Sequence, residues 1–449
     1  MISKYIKGDK SFKFYDETYN IDQNIFTVIV GKNGTGKSRL LNDIIDKSIS
    51  IGGHKSIDIG PSRINNVKKN IELEFSHIPN KIIAVSTSPY DKFPLNRFFY
   101  NRHNNNELYS YLGIRDLRTS DFSLGFMSKI IVQLLYIRSL GNSQFNKITE
   151  GLDYLGYSDE FHIAFEFKIN RNQIEEVINR DNPENDFLEI ISKNHLYRSN
   201  FRFFVTEDNK LDTVKFERFK YILQKLNNRR SLVYNIIVDS KRIFSEINIE
   251  DVSFLIEAGL ARLRDVGLRK IKTKNIYKIS EASSGEQCIF TTLVGISCNI
   301  KDNSLILIDE PEISLHPEWQ EKYIQLLIET FQNYKNCHFI IATHSPQLIS
   351  KLSKDNCFIL QMDSKELKNA KYYINNSIDF QLANIFNTPG FKNEYLSRIA
   401  FSIISKYGKN KKFDSEDVNN YNIIRSQIKF LSEHDPVINL FKLIEGLKK

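Results

Sequence analysis

The chain has 449 residues, 41% of them hydrophobic and 26% charged, with 62 Lys and Arg against 54 Asp and Glu for a formal net charge of +8. This composition is that of a globular protein and excludes a disordered or collagen-like chain, and the length allows two lobes or one domain with an insertion. No run of about 18 apolar residues occurs, which argues against a membrane-spanning helix.

The N-terminal residues Met1-Ile2-Ser3-Lys4-Tyr5 lack the apolar core of a signal peptide, so a cytoplasmic location is expected. Cys288, Cys298, Cys337 and Cys357 form no C-x-x-C pair, and reduced, buried thiols are expected rather than a zinc site. The positive charge fits a nucleic-acid surface or a chain merely rich in lysine; acidic residues are interspersed almost everywhere, so charge alone does not decide.

Residues 1–50 read as edge strands feeding a glycine-rich loop. Ser11-Phe12-Lys13-Phe14-Tyr15 alternates as a half-buried strand does. The apolar run Phe26-Thr27-Val28-Ile29-Val30 leads into Gly31-Lys32-Asn33-Gly34-Thr35-Gly36-Lys37-Ser38, and a helical pattern with Leu40, Leu41, Ile44 and Ile45 follows. Strand, loop and helix are the context that G-x-x-x-x-G-K-[ST] requires. Residues 51–80 are polar, a loop with one strand at most. Lys81-Ile82-Ile83-Ala84-Val85-Ser86-Thr87-Ser88-Pro89 reads as a buried parallel strand whose carboxyl end faces a ligand crevice.

Residues 90–280 predict a compact, mainly helical insertion. A helix is expected over Phe122 to Leu140 and others over 213–229 and 250–265; Ile163, Phe165, Phe167 and Ile169 form one face of a strand. No heptad run is long enough for an extended coiled coil.

Beyond it, Ser283-Ser284-Gly285-Glu286-Gln287 opens a helix to about Asn299. Ser304-Leu305-Ile306-Leu307-Ile308-Asp309-Glu310 is an apolar strand ending in two carboxylates. A helix starts near Pro317, and His338-Phe339-Ile340-Ile341-Ala342-Thr343-His344-Ser345 is a second buried strand, ending in histidine. Residues 355–449 hold a last strand or two, including Cys357-Phe358-Ile359-Leu360, and a helical tail. There Ile424, Ile428 and Leu431 share a face, and Asp435-Pro436 reads as an N-cap with proline at the first helical position.

These residue types carry a definite chemistry. Glycines let successive backbone N–H groups turn inward toward a polyphosphate, and the helix beginning near Lys37 adds its positive end. Lys37 suits the β- and γ-phosphates of ATP, and Ser38 offers a hydroxyl to Mg²⁺. Asp309 is the candidate second holder of Mg²⁺, Glu310 the candidate general base toward water, and His344 a candidate partner for the γ-phosphate or that water. Tyr5, Phe12 and Phe14 read first as core residues, with stacking on adenine the alternative. Ser284 and Gly285, at a helix start, form a second anion site, which a head-to-tail dimer would close over the triphosphate of a partner copy.

The ordered set GKNGTGKS, SSGEQ, LILIDEPEISLHP and ATHS resembles the ABC-type ATPase superfamily, and EPEISLHP resembles its RecF/SMC/OLD-type branch. The resemblance covers about residues 1–90 and 281–365. It implies an α/β fold: an ABC-type P-loop core of mixed sheet and flanking helices, with the insertion between Walker A and the signature. The expected divisions are 1–90 and 281–365 for the core, 91–280 for the insertion and 366–449 for the tail. It further implies that Gly31, Asn33, Gly34, Thr35, Gly36, Lys37, Ser38 and Arg39 bind nucleotide, that Ser284, Gly285 and Glu286 do so in trans, and that Ser314, Leu315 and His316 join the two sites of a dimer; for His316-Pro317 a helix-start turn remains the alternative. The family's glutamine after the second core strand is missing, its place reading Ser86-Thr87-Ser88-Pro89-Tyr90-Asp91.

Residues 84–94 and 384–399 also resemble the PtuA-like ATPases of Septu and retron-linked anti-phage systems. That implies a homodimer or higher homo-oligomer regulating a separate nuclease, of HNH type in the Septu case. Residues 365–449 carry no Asp-x-Asp and one histidine, His434, so the chain itself is not expected to be a nuclease. A RecF/SMC-like DNA-repair ATPase is the alternative, with DNA or RNA left open as a partner. A transporter subunit is disfavoured by the large insertion, and no membrane partner is expected.

Overall fold

The computed structural model describes residues 1–448 apart from 17–18, 21–22, 52–70, 96–107, 114, 116–121, 142, 168–186, 188–200, 207, 209, 227–232, 246 and 354. The chain divides into two compact units, Met1–Gly113 with Ile300–Lys449, and Ile114–Asn299. The cuts fall near 113 and 299 rather than 90 and 280. The helix that opens at Ser284 therefore belongs to the second unit.

The first unit is built on seven strands in the order β15-β14-β3-β13-β12-β5-β6. They are β3 (Ile25–Val30), β5 (Lys81–Ser86), β6 (Tyr109–Gly113), β12 (Ser304–Asp309), β13 (His338–Ala342), β14 (Cys357–Gln361) and β15 (Glu366–Asn369). All neighbours pair in parallel except β14 with β15. Every residue of β3, β5, β12, β13 and β14 is buried. A sheet covered on both faces needs apolar side chains at successive positions, which is why these strands read as unbroken apolar runs.

A three-stranded antiparallel sheet, β2-β1-β4, joins β1 (Ile2–Lys7), β2 (Lys10–Lys13) and β4 (Ile71–Phe75). Tyr5, Phe12 and Phe14 are at most 2% exposed within the same core as β3 and α1 (Lys37–Ile51), so core packing, not base stacking, is their role.

Register fixes the site. Asp309 stands opposite Ala342 and Ser86, and Ala342 opposite Ile29, so the carboxyl ends of β12, β13, β5 and β3 are level. The ladder continues one step past the strands: Glu310 N–H donates to Ala342 O at 2.9 Å and Thr343 N–H to Ile29 O at 3.0 Å. The residues that follow, Gly31 onward, Glu310 and His344, leave the sheet together along one edge.

Beyond α7 (Pro317–Phe331) and α8 (Pro346–Ser350), the tail forms a satellite core of its own from α9 (Ile378–Asn384), α10 (Glu394–Asn410), α11 (Ser415–Gln427) and α12 (Pro436–Lys448). Asp435 caps α12 through Val437 N–H at 2.9 Å and also accepts from Lys392 N–H at 2.9 Å, which ties the loop before α10 to the same carboxylate. The face expected through Leu431 is shorter: α11 stops at Gln427 and a 3-10 turn, Ile428–Phe430, takes over.

In the second unit α2 runs over Phe122–Leu140, followed by α3 (Ser143–Asp153), α4 (Thr213–Leu226), α5 (Ile249–Glu257) and α6 (Ser284–Asn299). Helix outweighs strand among its described residues, as expected, but helices are not all of it. A five-stranded antiparallel sheet, β11-β10-β7-β8-β9, runs through it, made of β7 (Tyr157–Phe167), β8 (Val233–Val238), β9 (Ile243–Ser245), β10 (Ala261–Lys270) and β11 (Ile276–Lys278). Phe161, Ile163, Phe165 and Phe167 share the buried face of β7 as the alternation requires; Ile169 lies outside the described residues. The helix expected over 250–265 ends early, because Gly259 adopts φ +70° and turns the chain into β10.

Candidate active site

The loop between β3 and α1 has the shape its glycines demand. Gly34 and Gly36 sit at φ +83° and +98°, where an L side chain is strained, with open space around both positions. Gly31 is different: a Cβ there would meet Thr35 Oγ1 at 2.9 Å. Thr35 Oγ1 donates to Lys32 O at 2.9 Å and Lys32 N–H to Asp363 Oδ2 at 3.4 Å, which holds the outer side of the loop. Asn33 and Arg39 are exposed.

Five of the predicted side chains converge at this edge. Lys37 is 5% exposed; its Nζ donates to Gly31 O at 3.1 Å and lies in short contact with His344 Nε2. An ammonium is a donor only, so the ring nitrogen accepts and the histidine is neutral. Burial and the adjacent Lys37 both pull the His344 pKa down, in the same sense. Burial also lowers the Lys37 pKa, opposed by Glu310, Glu312, Asp309 and Asp363. Ser38 Oγ donates to Asp309 Oδ1 at 3.1 Å, and Glu310 Oε1 stands 3.7 Å from His344 Nε2.

Asp309 is 4% exposed, and its pKa is pushed up to about 7, first by burial and then by the neighbouring Glu310 and Asp91 carboxylates. Glu310 occupies left-handed backbone space, φ 48° and ψ 55°, directly before Pro311. A non-glycine residue held there costs on the order of 1–3 kcal/mol, a cost found chiefly where side-chain direction matters.

Two further residues bear on the site and were not singled out from the sequence. Glu312 accepts from His344 N–H at 2.5 Å, while its Oε2 is buried without a hydrogen-bond partner among the described residues. Asp91 accepts from Tyr111 OH at 2.6 Å and Phe93 N–H at 3.0 Å, and it occupies the stretch where the family's glutamine is missing. Ser86 and Ser88, in the same stretch, engage each other, Ser88 N–H donating to Ser86 Oγ at 3.1 Å. The signal for Glu312 was its place in the EPEI run; Asp91 offered none.

Ser284, Gly285 and Glu286 open α6 in the second unit. Ser283 caps that helix: its N–H and Oγ donate to Glu286 Oε2 at 2.9 and 3.0 Å, and Glu286 N–H returns to Ser283 Oγ at 3.3 Å. Glu286 is thus spent on a capping box, whereas Ser284 is exposed.

A glycine loop between a buried parallel strand and a helix, beside a strand that ends in carboxylates, defines a P-loop nucleoside-triphosphatase core. A family model described as "AAA domain, putative AbiEii toxin, Type IV TA system" matches residues 90–350, over half of the chain, and the chain belongs to that AAA-domain family. The match covers Asp309, Glu310, His344 and the start of α6, and begins after the glycine loop.

Among curated proteins the chain is similar to "Retron Ec83 probable ATPase" of Escherichia coli, 25% identical over 399 residues, 80% of this chain and 71% of that protein. It is also similar to "Retron Vc95 probable ATPase" of Vibrio cholerae, 23% identical over 180 residues, 33% of this chain and 34% of that one. A solved SMC head bound to the C-terminal winged-helix domain of ScpA is similar over 82% of this chain and 96% of its own, at 15% identity and a TM-score of 0.28. No helix among the described residues is long and apolar enough to cross a membrane.

Proposed function

We propose that this chain binds and hydrolyses ATP at the carboxyl edge of β3, β13 and β12, that two copies close around the nucleotide, and that this cycle regulates a separate effector, an HNH-type nuclease, in anti-phage defence. The observation that carries the ATPase reading is the meeting of five side chains at one edge: Lys37 against His344, Ser38 bonded to Asp309, and Glu310 at 3.7 Å from His344. The defence role rests on the retron relatives.

The residues fit Mg²⁺. A hydroxyl and a buried carboxylate face each other at 3.1 Å, and burial with the neighbouring carboxylates raises that carboxylate's pKa, which a bound cation would offset. No group of three His, Cys, Asp or Glu among the described residues suffices to hold a metal, so Ser38 and Asp309 would share the ion with phosphate oxygens and water. When bound, the ion neutralises charge on the β- and γ-phosphates.

The chain's own groups do the rest. The loop's N–H groups hold the phosphates, and Lys37 exchanges its contact with His344 for a phosphate oxygen. Glu310 takes a proton from the attacking water as the water oxygen bonds to the γ-phosphorus and the bond to the bridging β,γ-oxygen breaks. His344, released from Lys37 and held at its backbone by Glu312, bonds the γ-phosphate or the water.

ATP turnover and equilibrium ATP binding, measured on the same protein samples, test this reading. Lys37→Ala should abolish binding. Glu310→Gln should bind as wild type, lose about 10²–10⁴-fold in turnover and accumulate as a nucleotide-bound dimer. Turnover by Glu310→Gln at the wild-type rate would refute the general-base assignment.

A further inference from the structure

The second unit carries a strongly basic, exposed segment. Residues 261–278, strand β10, its turn and strand β11, hold seven Lys and Arg against one acid, Asp265. β10 and β11 form an antiparallel ribbon at the edge of the five-stranded sheet, pairing Gly267 with Lys278, Leu268 with Tyr277 and Arg269 with Ile276.

Three of the cations are neutralised nearby. Arg262 is held by Glu166 at 2.6 Å, Arg269 by Glu160 at 2.6 Å, and Lys278 lies 3.6 Å from Glu281. Arg264, Lys270, Lys272 and Lys274 have no ion pair among the described residues. Arg264 and every residue from Ile271 to Ile276 are exposed, and Lys270 Nζ rests over the Tyr277 ring at 4.0 Å. The tip is tied by two bonds, Arg269 donating to Lys274 O at 2.9 Å and Ile271 N–H to Gly156 O at 3.0 Å. Ile271 and Ile276, 48% and 46% exposed, flank the lysines.

We propose that this hairpin binds duplex DNA, its tip entering the major groove and its unpaired cations lying on the phosphates. A two-stranded ribbon is one of the two elements the major groove admits, and exposed aliphatic side chains between cations suit thymine methyl groups at the groove floor. Lys270, Lys272 and Lys274 lie in one tight turn, Lys274 N–H donating to Lys270 O at 2.9 Å, so the tip presents a cluster of positive charge. The hairpin also leads into the helix that carries Ser284: Ser280 Oγ donates to Asp265 Oδ2 at 2.6 Å, fixing β10 to the turn before α6.

Fluorescence anisotropy of the full chain with a labelled 30-base-pair duplex, titrated from low to high NaCl, tests the proposal. Four phosphate contacts predict a slope of log affinity against log salt of about −3.6. Lys272→Ala with Lys274→Ala should weaken binding at least tenfold at low salt and flatten the slope by about two, with ATP turnover and thermal unfolding unchanged. Lys409→Ala with Lys412→Ala, exposed on the tail, should change neither. The proposal is overturned by undetectable duplex binding at low salt or by equal affinity of the Lys272/Lys274 variant. Tighter binding of single-stranded DNA or RNA, or displacement by polyglutamate as effective as by unlabelled duplex, would overturn it as well. Because turnover is measured on the same samples, failure of DNA binding is separable from failure of the ATPase reading.

Discussion

Asp309 is the residue on which the site's electrostatics turn. An aspartate whose pKa is pushed up to about 7 takes up protons more readily in the folded chain than in the unfolded one, where it titrates near 4. The nucleotide-free fold therefore loses stability as pH rises from about 4 to about 7 and loses no more from this group above that. Asp309→Asn removes the slope. At pH 8 the variant without nucleotide should be more stable than wild type by on the order of 2–4 kcal/mol, and at pH 4.5 nearly equal to it. Urea unfolding at the two pH values checks this, and a wild-type advantage at pH 8 would refute it. Mg²⁺ with ATP should reverse the order, because the counter-charge then favours the wild-type carboxylate. Lys37 and His344 show the same economy: each is unfavourably placed alone, and each serves as the other's partner until a phosphate displaces it.

At the scale of elements, the core strands were legible because they are buried on both faces, which leaves no polar position to break the apolar run. The glycine loop was legible because left-handed backbone at Gly34 and Gly36 admits few other residues. Gly36→Ala should cost about 1–3 kcal/mol of loop strain and weaken ATP binding at least tenfold while the thermal midpoint stays close to wild type; unchanged affinity would show that the loop adapts. The second unit was less legible. Its strands are interleaved with helices along the chain, and the helix expected over 250–265 hid the switch at Gly259 from helical to extended backbone. Tyr5, Phe12 and Phe14 read first as core residues, with base stacking the alternative, and their burial in the core shared with α1 bears the first reading out. The basic hairpin went unnoticed for a related reason. Over the whole chain charges of both signs are interspersed, and the strand pairing is what isolates one cationic ribbon and shows which of its charges are already matched.

For the whole molecule, the division of the chain is informative. The glycine loop, Asp309 with Glu310, and His344 belong to the first unit, and Ser284, exposed at the head of α6, belongs to the second. On our reading each nucleotide is held by the glycine loop of one copy and the Ser284 turn of another. A symmetric dimer then has two such composite sites, and each variant damages only its own half of each site. Mixing chains that carry Lys37→Ala with chains that carry Ser284→Arg, each inactive alone, is the most direct test. Random pairing makes half of the dimers mixed, and each mixed dimer keeps one intact site, so turnover should recover to about a quarter of wild type. A mixture as inactive as its components, or a Ser284→Arg chain that hydrolyses ATP at full rate alone, would contradict the account.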